Sequence, residues 1–145
     1  MGLSNGLSNP EKKAAVIDDC CQMIEAQLAS KSGLSGIALR TAFAALKGIK
    51  PGYIAYVVEQ ILPQSLTAID PIWNEGVQTG DPSGYLAANR SRTADALLSV
   101  TDARVVNSQR QIVKGTYEKL RSSAKQYVED AVPDLAKVVD KYVNA

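Results

Sequence analysis

The chain has no histidine among its 145 residues. That absence removes the commonest general base, the commonest metal ligand and the usual pH switch. Any chemistry would fall to carboxylates, Lys, Tyr or Cys. Cysteine is nearly absent too: Cys20 and Cys21 are the only two, and they are neighbours. A trans peptide holds adjacent Cα atoms about 3.8 Å apart, too close for an unstrained disulfide. Two ligands do not make a structural zinc site. The pair reads as one buried and one half-buried free thiol, with a redox-sensing vicinal pair as the alternative. No catalytic residue, metal or cofactor is expected.

Long apolar runs are also missing. The nearest, from Pro51 to Ile69, is interrupted by Glu59 and Pro63, so no membrane span is expected. The start, MGLSNGLSN, has no basic segment followed by an apolar one, and Gly6 stands where myristoylation needs Ser or Thr. These readings predict a cytoplasmic protein. Sustained period-two alternation does not occur, which argues against a sheet.

What is present is helical periodicity. Hydrophobic content of 46%, charged content of 21% and a net charge of +1 describe an ordinary globular chain of one-domain size. Residues 1–8 read as a flexible leader and 9–145 as a single helical domain. Asn9-Pro10-Glu11 combines a side-chain cap, a first-turn proline and an acid. It predicts an amphipathic helix over 10–30, with Ile17, Cys20 or Cys21, Ile24 and Leu28 inward. The segment Ser32–Pro63 predicts two short apolar helices around a Lys50-Pro51-Gly52 corner, placed centrally. Pro63 is expected to break or kink its helix, and Pro71 to bend the next, which carries Leu66, Ile69, Trp73 and Val77. Asp81-Pro82 starts a helix to about Val106. Ser108–Gln111 fits a capping box. Beyond it Val113, Tyr117, Leu120, Ala124, Tyr127 and Ala131 step by four and three, a coiled-coil-like seam. Pro133 is expected to start a last helix. The fold class is all-α, a single-domain bundle of about six or seven helices, several of them short and proline-bent.

Charge alternates in blocks: −2 over 1–30, +4 over 31–50, −4 over 51–89, +5 over 90–125 and −2 over 126–145. Such alternation favours one helix order over its rivals more than it adds stability. Two stretches are candidate sites. Tyr53, Tyr56 and Trp73, three of eight aromatic residues, could wall an apolar ligand pocket, although such residues are more often core. Arg110, Lys114, Arg121 and Lys125 share a helical stripe that could hold an anion. Glu118 within that stripe, and no interleaved aromatic, argue for a solvated flank and against nucleic acid. Ser32–Gly36 matches neither the P-loop nor the dinucleotide fingerprint and reads as a turn. Asp95 and Asp102 share a face, but surface pairing is the simpler reading.

The segments KSGLSGIALRTAFAALKGIKPG, ADALLSVTDARV and YEKLRSSAKQYV resemble those of a family of small bacterial proteins, a domain of unknown function. The likeness runs from Asn9 to Tyr142 and is most specific at Lys31–Gly36 and Thr101–Arg104. It implies a stand-alone helical protein of the bacterial cytosol and brings no site residues with it. The leading expectation is a non-enzymatic binding or assembly protein that associates with itself through the Val113–Ala131 seam. The alternative is a carrier or sensor of a small apolar ligand.

Overall fold

A computed structural model describes residues 2–144, apart from the Ser35 side chain; Met1 and Ala145 lie outside the described residues. A 3-10 helix (Leu3–Ser8) precedes six α-helices: α1 (Pro10–Ser30), α2 (Gly33–Lys47), α3 (Tyr53–Thr79), α4 (Pro82–Ala88), α5 (Arg90–Val106) and α6 (Gln111–Val143). No strand occurs among the described residues. The all-α bundle is the class that the periodicity predicts.

The two cap-and-proline starts stand where the residues place them. The Asn9 side chain accepts from the N–H groups of Glu11 and Lys12 at 3.0 and 3.2 Å, and Asp81 accepts from Gly84 N–H at 3.0 Å. The other prolines behave differently. Pro63 and Pro71 lie inside α3, and Pro133 inside α6, so pieces expected to be separate form helices of 27 and 33 residues. Each such proline costs about 3 kcal/mol. Pro63 and Pro71 are exposed, and so are Glu59 and Thr67, whose carbonyls lose their partners to water. The opposite face of α3 buries Tyr53, Val58, Leu62, Leu66, Ile69, Ile72 and Trp73. At about 1.5–3 kcal/mol per fully buried large apolar side chain, that stripe outweighs two prolines.

The expected helix from Asp81 to Val106 is instead two helices that part at Asn89, whose side chain donates to the Tyr85 carbonyl at 2.9 Å. The expected capping box is not formed. Arg110 is the N-cap of α6, and the Ser108 hydroxyl accepts from Arg110 N–H at 3.2 Å, outside the helix.

The long helices α3 and α6 are the frame. The main core joins Val16 and Cys20 of α1, the Val58–Trp73 stripe of α3, Leu86 of α4, and Val132, Ala136, Val139 and Tyr142 of α6. The 3-10 helix is pinned to it. Leu3 N–H donates to Asp70 at 3.1 Å, the Tyr142 hydroxyl donates to the Leu3 carbonyl at 2.5 Å, and Leu3 and Leu7 pack on the cluster. The Ser32–Pro63 hairpin is therefore only half central. Its α3 arm is the frame, but α2 is peripheral, with Leu39 its one buried large side chain and with Leu34 and Ile37 86% and 56% exposed. Helix α1 runs antiparallel to α6, since Asp19 pairs with Lys141, Gln27 with Asp134 and Lys31 with Asp130. Helix α5 is antiparallel to α6 likewise, through Asp95–Lys125 and Asp102–Arg121.

At Gly76 the backbones of α3 and α4 touch. A Cβ there would lie 2.7 Å from Pro82 Cα and 2.8 Å from Tyr85 Cβ. Gly115, the fifth residue of α6, has open space at the same position. Gly76→Ala is expected to lower stability by about 1–3 kcal/mol, because α4 must move off α3. Gly115→Ala is expected to raise it by about 0.5–1 kcal/mol through helix propensity alone. Urea midpoints of the two variants check both signs.

Candidate ligand-binding site

Above the main core, helix α6 changes character. Val132, Ala136, Val139 and Tyr142 are buried, whereas no residue from Gln111 to Ala131 is. The seam residues Val113, Tyr117, Leu120, Ala124 and Tyr127 are half-buried because they face a cavity of about 940 Å³. Opposite them stand Tyr53, Tyr56, Val57 and Ile61 of α3, and Leu39, Phe43 and Leu46 of α2. The Leu98–Val105 part of α5 closes the side. The volume is near the top of the range of about 300–1,000 Å³ for small-molecule sites. The seam is thus the lining of a trough.

The trough has two unlike ends. One lies where α3 and α6 begin and α5 ends. There Arg110 lies over the Tyr53 ring at 5.8 Å, Lys50 over the Tyr56 ring at 4.0 Å, and the two rings are 6.1 Å apart. Arg104, in the last turn of α5, also lines this end. The far end is bounded by Ile61 and Gln64 of α3, Leu98 of α5, and Ala124 and Val128 of α6. From Val113 to Val128 the α6 wall runs about 22 Å at the helical rise.

Charge in the lining is one-sided. Lys50, Arg104 and Arg110 line the cavity, and no Asp or Glu does. Among the described residues none of the three has a carboxylate within ion-pair distance, while Arg121 and Lys125 do. Asp102 accepts from Arg121 at 2.9 and 3.1 Å and from the Tyr117 hydroxyl at 2.5 Å. Arg121 and Tyr117 hold the Asp102 carboxyl below its usual range; burial and the bond to Asp102 push the Tyr117 phenol up. This pairing anchors Tyr117 in the wall and locks α5 to α6.

The residues singled out from the sequence are thus divided. Tyr53 and Tyr56 stand together at the cationic end. Trp73 is elsewhere, 4% exposed within the main core and outside the lining. Of the basic stripe, Arg110 alone joins the lining. Arg121 is bound to Asp102 and Lys125 to Asp95, and Lys114 is half-buried outside the lining. Carboxylates of α5, not Glu118, neutralise Arg121 and Lys125. Arg92 pairs with Glu75 at 2.7 Å rather than with Asp95 or Asp102, and with Tyr85 it draws the Glu75 carboxyl down to about 2. Lys50 and Arg104 were missed. Nothing in a linear reading distinguishes them from other surface cations, since their mark is a place in the lining that only the folded chain defines. The stretch Ser32–Gly36, expected as a turn, is instead the cap and first turn of α2, and Arg40 ties α2 to the end of α1 by donating to the carbonyls of Leu28 and Lys31 at 3.1 and 2.8 Å.

The cysteines lie away from the trough and are free, Cys20 buried and Cys21 half-buried. Burial first, then the neighbouring thiol and Asp19, push Cys20 up to about 12; burial and acidic neighbours also raise Cys21. The thiolate is the reactive form. Iodoacetamide at mildly alkaline pH is therefore expected to add one group to the folded protein, slowly and at Cys21. A second adduct is expected only in denaturant, and peptide mass mapping reads both.

Among the described residues no helix is long and apolar enough to cross a membrane, and no group of three His, Cys, Asp or Glu could hold a metal. Fold and site together define a single-domain, all-helical protein with an apolar trough that is cationic at one end. The chain belongs to the family of unknown function DUF6918, which matches residues 3–143. No curated protein and no solved structure matches it.

Proposed function

We propose that the protein carries or senses a small apolar ligand in the α2–α3–α5–α6 trough. The observation behind this reading is the placement of the Val113–Tyr127 seam. The most regular apolar stripe of the chain lines a cavity of about 940 Å³, where burial by a ligand would be worth roughly 25 cal/mol per Å² of apolar surface. Of the groups that chemistry would fall to, the lining holds Lys and Tyr but neither carboxylate nor thiol, a set that suits binding better than catalysis. Displacement of an environment-sensitive apolar dye by dodecanol tests the reading. Saturable, competitive binding supports it, and failure of the folded protein to take up either compound sinks it. Trp73 is too deep in the core to be a direct reporter.

Self-association is the second reading, supported now by a different surface. Leu34 and Ile37 form an exposed apolar strip on the outer side of α2, with Val106 and Ile112 exposed at the α5–α6 junction. Sedimentation at tens of micromolar decides it, a clean monomer being the contrary result.

A further inference from the structure

We infer that the ligand is a single-chain amphiphile with an acidic head, its tail along the α6 wall and its head among Lys50, Arg104 and Arg110. The inference rests on the pocket reading above and specifies its ligand.

Two observations carry it. The first is charge: three cations and no anion line the cavity, and none of the three has a carboxylate partner among the described residues. Elsewhere pairing is mixed: among the described residues seven cations meet a carboxylate, as Lys31 meets Asp130 at 2.8 Å and Arg92 meets Glu75 at 2.7 Å, so what sets the three apart is their gathering in one lining that holds no acid. The second is polarity along the axis. The cations come from the residue before the α3 corner, the last turn of α5 and the cap of α6, all at one end, while the other end is mainly hydrocarbon. Helices α3 and α6 begin at this end while α2 and α5 end there, so the helix dipoles largely offset one another and the three side chains set the potential. An alkyl chain buries its length along Val113, Leu120 and Ala124. Its acid group takes charge-assisted hydrogen bonds, which are stronger than neutral ones. Guanidinium groups suit carboxylate and phosphate alike, so the shared chemistry is an acid at the end of one chain.

The test compares ligands of one chain length by calorimetry on the full chain: dodecanoate, dodecyl phosphate, dodecanol and dodecylamine. Either acid is expected to bind about tenfold or more tighter than the alcohol, with the amine weakest. In the Lys50→Gln, Arg110→Gln double variant the acid-to-alcohol ratio is expected to fall toward one. Lys119→Gln with Lys137→Gln, which removes the same charge from the exposed side of α6, is expected to keep the ratio. Equal binding of acid and alcohol by the native chain overturns the inference but leaves the apolar pocket standing. A preference that survives the double variant, or falls equally in the control, also overturns it by placing the head elsewhere. Binding of none of the four refutes the pocket itself.

Discussion

Leu86→Ala is expected to lower the free energy of unfolding by about 2–5 kcal/mol, the range for removing a leucine side chain from a packed interior. Leu86 is wholly buried, at 0% exposure, and shares its cluster with Ile69, Ile72 and Trp73 of α3 and with Val132 and Val139 of α6. It is the buried anchor of a seven-residue helix, and so short a helix has little stability of its own. The cavity left behind could not close without moving α4, which the Gly76 contact already holds against α3. The substitution is therefore expected at the upper part of the range. A chemical denaturation curve with unchanged slope and a lowered midpoint checks it. A loss below about 1 kcal/mol, the scale of a surface change, would mean that α4 is not part of the cooperative core.

The trough should respond in the opposite way. Ala124→Trp is expected to lower the affinity for dodecanol and dodecanoate at least tenfold, because the indole would occupy the space the chain needs. Stability should change by less than about 1.5 kcal/mol, since Ala124 is half-buried against the cavity and not packed in the core. Core substitution and trough substitution thus separate folding from binding. A tryptophan at this position that left both affinities intact would place the ligand outside the trough.

How far these sites were readable from the sequence depended on the range of the interaction. The starts of α1 and α4 were legible because a cap and a first-turn proline act over three residues. The break at Asn89 was not, since helical periodicity continues through it in Leu86, Thr93 and Leu97. The prolines misled for a related reason. Their cost is local, whereas the compensation comes from a buried stripe that spans the whole of α3 and can be recognised only with its neighbours in place. The seam was legible as a stripe but not as a wall. Spacing by four and three says that one face is apolar, and does not say whether a helix or an empty trough lies across it. The cations were the least legible. Arg121 and Lys125 look as available as Arg110 in the sequence, and only the antiparallel register of α5 brings Asp102 and Asp95 to neutralise them. Tyr53 and Tyr56, three residues apart on one helix, stand together with their rings 6.1 Å apart. Trp73 stands apart from them, because twenty residues of α3 carry it from the trough into the core.

The same division explains why the fold tolerates a hollow upper half. The main core takes in the C-terminal third of α6, most of α3, and α1 and α4. The N-terminal part of α6 lies against α5, to which Asp102–Arg121 and Asp95–Lys125 tie it. Each of these exposed pairs is worth little alone, but together they fix register along a helix that the core does not reach. Helix α2 then closes the trough through Leu39, Phe43 and Leu46, with left-handed Gly33 at its start and left-handed Gly52 at the start of α3.

Titration of dodecanoate into isotopically labelled protein, followed by amide chemical shifts, tests the central claim most directly. The account predicts saturable shifts concentrated at Tyr53, Tyr56, Val113, Leu120 and Ala124, with the amides around Leu86 and Val139 nearly still. Shifts confined to the outer face of α2, or none anywhere on the folded chain, would contradict it.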